Sequence, residues 1–195
     1  MEAFEAVGRP VLDEVEPDHV LFSFHGVPER HMHKSDPTGQ HCLKVDECCE
    51  RAIESRGELG QQCYRAQCVV SARLIARKLG LAPSQFSVSF QSRLGRQEWL
   101  KPYTDKRVEE LAKAGVKRLA VFCPAFVADC LETIEEIGME AAEDFEHHGG
   151  EIFALVPSLN SSPRWAEAVA ELVRATAVPR VRLPIAAADE SSASP

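Results

Sequence analysis

Four short apolar runs, each leading into a polar loop and then a helical pattern, set the tightest limit on how this chain can fold. The runs are His19-Val20-Leu21-Phe22-Ser23-Phe24, Phe86-Ser87-Val88-Ser89-Phe90, residues 118–122 and residues 152–156. Between them, Val69, Val70, Leu74, Ile75 and Leu79 mark an amphipathic helix closed by Gly80 and Pro83. Thr104 or Asp105 is placed to cap a helix with Val108, Leu111 and Ala112 on its inner face, and another runs from the third strand to about His148, stopped by Gly149-Gly150. Asn160-Ser161-Ser162-Pro163 opens the last, with proline at the first helical position. Strands alternating with helices predict an α/β fold: a four-stranded parallel sheet with helices on both faces. Loops after the strands of such a sheet emerge together on its carboxyl edge, where ligands bind. That edge collects His25, residues 91–96, residues 124–132 and Asn160.

The 195 residues suffice for one domain with a proper core. Residues 1–17 read as a weak helix or linker, with Phe4, Val7, Val11 and Val15 at helical spacing but Gly8 and Pro10 interrupting. The domain proper spans 18–177, and the tail 178–195 reads as disordered. Residues 29–65 are polar and hold no evident strand; 47–56 form a short helix, and Gly57, Gly60 and Gln61-Gln62 mark a loop after it. A net charge of −8 argues against a nucleic-acid partner. No apolar run approaches the roughly 20 residues that span a membrane, and Met1-Glu2-Ala3-Phe4-Glu5 lacks the features of a secretory signal. A cytoplasmic location is expected. Five of the seven cysteines fall between Cys42 and Cys68. In a reducing compartment that crowding favours a metal site over disulfides or scattered core thiols.

The chemistry concentrates after the third strand. Glu132, Glu136 and Glu140 stand at i, i+4 and i+8, neighbours on one side of a helix. Aligned like charges do nothing for stability, whereas a cation path or proton relay needs them; the ordinary alternative is a solvated acidic face. His25, at the end of a buried strand before Gly26-Val27-Pro28, sits on a constrained loop and can face Glu132 across the edge. An imidazole and a carboxylate together can hold a divalent metal or pass protons. Arg93 and Arg96 could pair with substrate carboxylates or be surface charges, and Trp99 could wall a flat aromatic ligand or simply be core.

Several stretches carry a resemblance: Leu21-Phe22-Ser23-Phe24-His25-Gly26-Val27-Pro28, Phe90-Gln91-Ser92-Arg93-Leu94-Gly95-Arg96 with Trp99-Leu100-Lys101-Pro102-Tyr103-Thr104-Asp105, Cys123-Pro124-Ala125-Phe126-Val127-Ala128-Asp129-Cys130-Leu131-Glu132-Thr133, and Leu159-Asn160. The chain resembles the C-terminal half of ferrochelatase, the enzyme that inserts ferrous iron into a porphyrin (protoporphyrin IX or coproporphyrin III) in haem synthesis. The resemblance implies that His25 accepts pyrrole protons or binds the iron, that Glu132 is its carboxylate partner, and that Glu136 and Glu140 form a proton or metal route. It implies a substrate surface from Gln91, Ser92, Arg93, Arg96 and Trp99. Family members have two α/β halves with the porphyrin between them, so the other wall is expected from a missing N-terminal half or a partner chain; peripheral membrane contact stays open. Against short family members, about 42–63 is an insertion, similar to the cysteine-rich one of bacterial ferrochelatases that carry a 2Fe–2S cluster. Cys42, Cys48, Cys49 and Cys63 would be its ligands, with Cys68 a substitute, and a four-cysteine zinc site is the alternative. Other readings are a related chelatase putting cobalt or iron into an early tetrapyrrole, and a non-catalytic tetrapyrrole or iron–sulfur binding module.

Overall fold

A computed structural model describes residues 1–54 and 58–176, with 58 and 59 as backbone only. The four apolar runs form β1 (His19–His25), β2 (Phe86–Gln91), β3 (Arg118–Phe122) and β4 (Ile152–Leu155). They pair in the order β2-β1-β3-β4, and every pair is parallel. The expected four-stranded α/β sheet is therefore present. Side-chain alternation sorts its two faces. Val20, Phe22 and Phe24 of β1 and Phe122 of β3 join α1 (Glu2–Val15) and α5 (Tyr64–Leu79) in one cluster. Leu21, Leu119 and Val121 point the opposite way, onto α6 (Thr104–Lys113) and the helical run after β3. Leu21, Phe22, Leu119 and Val121 are each 0% exposed, and burying each contributes roughly 1.5–3 kcal/mol. The sheet is thus the rigid layer from which the loops project.

Four details differ from the sequence expectation. Gly8 and Pro10 do not interrupt the first helix, which runs unbroken from Glu2 to Val15. At Gly8 the ring of Phe122 comes so close that a Cβ would lie 2.4 Å from its Cζ, so the glycine is a contact site rather than a break. Pro10 deprives only Ala6 of a hydrogen-bond donor, and Ala6 is exposed to water. Residues 1–17, read as a helix or linker, thus form a helix that buries Ala3, Gly8 and Leu12.

Neither Thr104 nor Asp105 caps α6; its N-cap is Tyr103. The buried Thr104 hydroxyl instead joins Ser23 Oγ (2.8 Å) and Ser89 Oγ (2.9 Å), tying α6 to β1 and β2. The carboxylate helix is not one α-helix. It comprises α7 (Leu131–Ile134), a π-helical segment (Glu136–Ala141) and α8 (Ala142–His147). The wider turn is visible where Glu140 N–H donates to the carbonyl of Glu135 at 2.9 Å, five residues back. Such turns recur at functional sites. Lastly, residues 29–65 are largely helical: α2 (Glu29–Ser35), α3 (Cys48–Glu54) and α4 (Glu58–Gln62). Gly60, Gln61 and Gln62, expected in a loop, belong to α4; Gly57 lies outside the described residues.

The final helix, α9 (Pro163–Ala175), starts as expected, with the Ser162 side chain accepting from Trp165 N–H. The tail read as disordered lies outside the described residues. Among the described residues no helix is long and apolar enough to cross a membrane.

Candidate active site and cysteine cluster

The sheet order places β1 beside β3 where successive connections leave in opposite directions, and the crevice at the carboxyl ends of those strands is the expected ligand position. His25 is the last residue of β1, paired with Gln91 of β2. Its Nδ1 lies 2.5 Å from the carbonyl oxygen of Gly26. A carbonyl only accepts, so Nδ1 carries the proton and the lone pair of the neutral ring is on Nε2. Gly26 is required there, since a Cβ would stand 2.9 Å from the Gln91 carbonyl oxygen and 3.3 Å from the Trp99 ring. The imidazole is flanked by Trp99 and Phe126, with ring centroids 6.4 Å and 5.9 Å away. Across the edge, Glu132 is held below the usual carboxylate range, first by a hydrogen bond from the Cys130 thiol, then by its own backbone N–H, and last by the coulombic influence of the His25 ring. His25 and Glu132 are therefore electrostatic neighbours.

Gln91 organises the corner. It is 2% exposed. Its Oε1 accepts from Ser23 Oγ (2.7 Å) and, more weakly, from the Cys123 thiol (3.5 Å). Its Nε2 donates to the Glu132 carbonyl (2.6 Å) and reaches Glu136 Oε2 (3.4 Å). The Glu136 carboxylate also receives Ser92 N–H (2.7 Å) and the Ser92 hydroxyl (2.5 Å). Glu136 is thus a fixed carboxylate, not a mobile surface group.

The acidic row divides at this point. Glu136 and Glu140 line a cavity of about 340 Å³ together with Asp144, Asp105 and Arg93; Glu132 is not part of its lining. Arg93 is bound to Asp105 at 2.8 Å and lies over the Tyr103 ring at 3.9 Å, while Arg96 is exposed. Trp99 is half-buried and donates Nε1–H to the Leu94 carbonyl at 3.1 Å. Sequence reasoning missed Asp144, although it continues the four-residue spacing after Glu140. It also missed Tyr64, whose hydroxyl donates to the His25 carbonyl at 2.8 Å; nothing in the spacing signals a contact across 39 residues. Asp129 couples two edge loops by accepting from Asn160 Nδ2 (2.8 Å) and Ser158 N–H (3.1 Å).

The cysteine-rich segment packs behind this edge. Cys42, Cys48, Cys49, Cys63 and Cys68 are 2–6% exposed. Asp36 anchors the loop carrying Cys42: it accepts from the backbone N–H groups of Thr38, His41 and Cys42 and from the Thr38 hydroxyl, which hold its carboxyl well below the usual range. His41 Nε2 donates to the Cys48 carbonyl at 2.7 Å, fastening the start of α3. The Cys63 thiol is drawn down in pKa by a hydrogen bond from Cys49 and, against burial, by the Ala66 N–H and Cys42. Cys49 is pushed up by that same bond and by burial; Cys42 is pushed up by burial and by Cys63. Arg65 Nη1 points at Cys48 Sγ from 3.8 Å. Cys68 instead touches the Tyr64 hydroxyl. Among the described residues, no three His, Cys, Asp or Glu side chains converge as the ligands of a single ion would. As a donor set, four buried cysteines with N–H groups and a guanidinium aimed at them fit an anionic iron–sulfur group in kind and number. Cys123 is buried beside Gln91, and burial pushes its thiol up.

Comparison with known proteins identifies the family. A ferrochelatase family model matches residues 1–177. A ferrochelatase of Pseudomonas fluorescens (strain Pf0-1) is 54% identical over 172 residues, covering 88% of this chain and 49% of that protein. One of Pseudomonas savastanoi pv. phaseolicola is 57% identical over 159 residues, 82% of this chain and 45% of that protein. One of Azotobacter vinelandii is 55% identical over 157 residues, 80% and 46% respectively. The chain spans about half the length of these curated relatives. Among solved structures, a CbiX protein of Marinobacter aquaeolei VT8 aligns with a TM-score of 0.42 at 15% identity, over 82% of this chain and 96% of that one, too distant to bear on the site. With the family model running through nearly all of the described residues, this chain belongs to the ferrochelatase family.

Proposed function

We propose that this chain supplies the histidine–carboxylate wall of a site that inserts ferrous iron into protoporphyrin IX or coproporphyrin III, in haem synthesis. The observation that carries this reading is the His25 ring: with Nδ1–H donated to Gly26, the basic Nε2 belongs to a ring set between two aromatic side chains on the ligand edge of the sheet. Porphyrin metallation releases two pyrrole N–H protons as Fe²⁺ takes their place, so a base must stand over the macrocycle. Nε2 accepts a proton. Glu132, kept ionised, stabilises the imidazolium. Glu136, Glu140 and Asp144 line the cavity through which protons leave or iron arrives. Trp99 and Phe126 offer faces suited to a flat ring. The opposite wall comes from the half that the relatives have and this chain does not span.

Cys42, Cys48, Cys49 and Cys63 would hold a 2Fe–2S cluster, supplying a covalent brace to the insertion. What supports this reading is the donor set: the four cysteines are buried, and the Cys63 thiol is bonded to those of Cys49 and Cys42. Cys68, engaged with Tyr64, is left out.

The test is an anaerobic metallation assay with protoporphyrin or coproporphyrin and Fe²⁺ or Zn²⁺, following loss of free-porphyrin fluorescence. It is run with the chain alone and with the amino-terminal half of a full-length relative added. Turnover that disappears in His25→Ala and Glu132→Gln supports the reading. Porphyrin binding without turnover under both conditions would replace it with a tetrapyrrole-binding module.

A further inference from the structure

The His25–Gly26 peptide is gripped at both ends. Its carbonyl accepts from the Tyr64 hydroxyl at 2.8 Å. Its N–H, that of Gly26, donates to the Gln91 carbonyl at 2.7 Å. The Gly26 carbonyl in turn receives the imidazole Nδ1–H at 2.5 Å. The direction of the ring therefore depends on the setting of two successive peptide planes. The first is fixed on one side by the sheet and on the other by a single phenol.

That phenol belongs to a rigid element. Tyr64 is the first residue of α5, immediately after Cys63, and α5 is anchored by Ala66, Ala72, Ile75 and Ala76, each 0–1% exposed. Its hydroxyl also touches the Cys68 thiol.

We infer that Tyr64 is a positioning residue for His25: its hydroxyl sets the peptide that aims the imidazole, and it ties the histidine to the helix start that carries Cys63. Tyr64 acts through backbone and touches neither porphyrin nor iron. The inference rests on the reading of His25 as the proton acceptor. A reacting group displaced by about 1 Å can lose up to 10²-fold in rate. Removing the hydroxyl leaves the Gln91 bond in place, so a smaller loss is expected.

Tyr64→Phe removes one oxygen and preserves the ring. Two readouts on the whole chain test the inference. The first is the ¹⁵N spectrum of the histidine side chains, with His25→Ala assigning the His25 signals. The unaltered chain should show the His25 pattern of a single tautomer protonated at Nδ1. Tyr64→Phe should shift it toward the averaged pattern and speed exchange of the Gly26 amide, leaving His19, at the far end of β1, unmoved. An unchanged His25 pattern overturns the inference. So does a change spread over His19 and accompanied by a fall in Tm, which would mark a merely structural role. The second readout is metallation in the presence of the complementary half. Tyr64→Phe should lower kcat by about tenfold with KM for porphyrin unchanged; a rise in KM at constant kcat also overturns it. If no metallation occurs in any form, the proposed function fails, and the spectra still decide whether Tyr64 sets the histidine.

Discussion

The carboxylate corner and the cysteine pocket lie on the same protein and are organised by opposite means. In the corner, the acidic groups are fixed by outside donors. Glu136 is held by the Ser92 amide and hydroxyl, and Gln91 links Ser23, Cys123 and the Glu132 backbone. In the pocket, Asp36 and His41 set the backbone of the loop and the start of α3, and the outside donors that reach thiols include the Arg65 guanidinium and the Ala66 N–H. The thiols mostly bond to one another, with Cys63 receiving from Cys49 and Cys42. Carboxylates need strong donors once partly buried, whereas thiols are weak donors that pack almost as hydrophobes. On the proposed function, the preorganised corner suits a substrate that comes and goes, and the pocket suits a resident group that completes it.

The sharpest way to break this comparison is through metal. Cys63→Ser should abolish iron and sulfide content and the visible cluster absorption of the purified chain, whereas Glu136→Gln should leave both intact. Loss of absorption in Glu136→Gln would mean that the two regions are one cooperative site. Next in size is the buried amide. Gln91→Leu takes the Oε1 acceptor from the Ser23 hydroxyl, which keeps Thr104, and frees the Glu132 carbonyl, and should cost about 2–3 kcal/mol in urea unfolding. A value near zero would show that the corner is less preorganised than its hydrogen bonds imply.

Acid offers a third test, from outside both regions. His19 is 8% exposed and bonded to Ser87 Oγ at 2.8 Å. Burial, helped by Arg107, lowers its pKa from 6.5 to about 4. The folded state thus refuses a proton that the unfolded chain accepts. The His19 contribution to stability should be constant above pH 6.5 and fall between 6.5 and 4, by a total on the order of 2–3 kcal/mol. His19→Gln should flatten that slope in pH-dependent denaturation. Below it, Asp36 and Asp18, whose carboxyls are depressed by the N–H and hydroxyl donors around them, begin to lose their bonds as well. The smallest effect is at the rim: Arg93→Ala removes an exposed pair with Asp105 and should change stability by under about 1 kcal/mol. A large effect there would extend the preorganised corner outward.

Most of the sheet could be read from the chain because its signal is local: apolar runs, caps and glycine stops. Pro163 after Ser162 announced α9 correctly. Gly8 and Pro10 misled because their roles are tertiary; one faces the Phe122 ring and the other needs only an exposed carbonyl. Thr104 looked like a cap because hydroxyls usually are, and only the sheet reveals the two serines waiting for it. The acidic row was evident from its spacing. The π turn was not, so the separation of Glu132 from the cavity holding Glu136 and Glu140 went unseen. Tyr64 was silent because its partner is a backbone carbonyl, which no residue type advertises.

β1 is bonded on both sides, to β2 and to β3, and His25 is its last rung, still paired with Gln91. A residue in that place shares the stability of a strand that opens only when a neighbour lets go. Evolution can then lengthen, shorten or rebuild the segment that follows without loosening the base. The cysteine-rich stretch begins only after α2, a point where a chain can experiment while the imidazole at the strand end keeps its place.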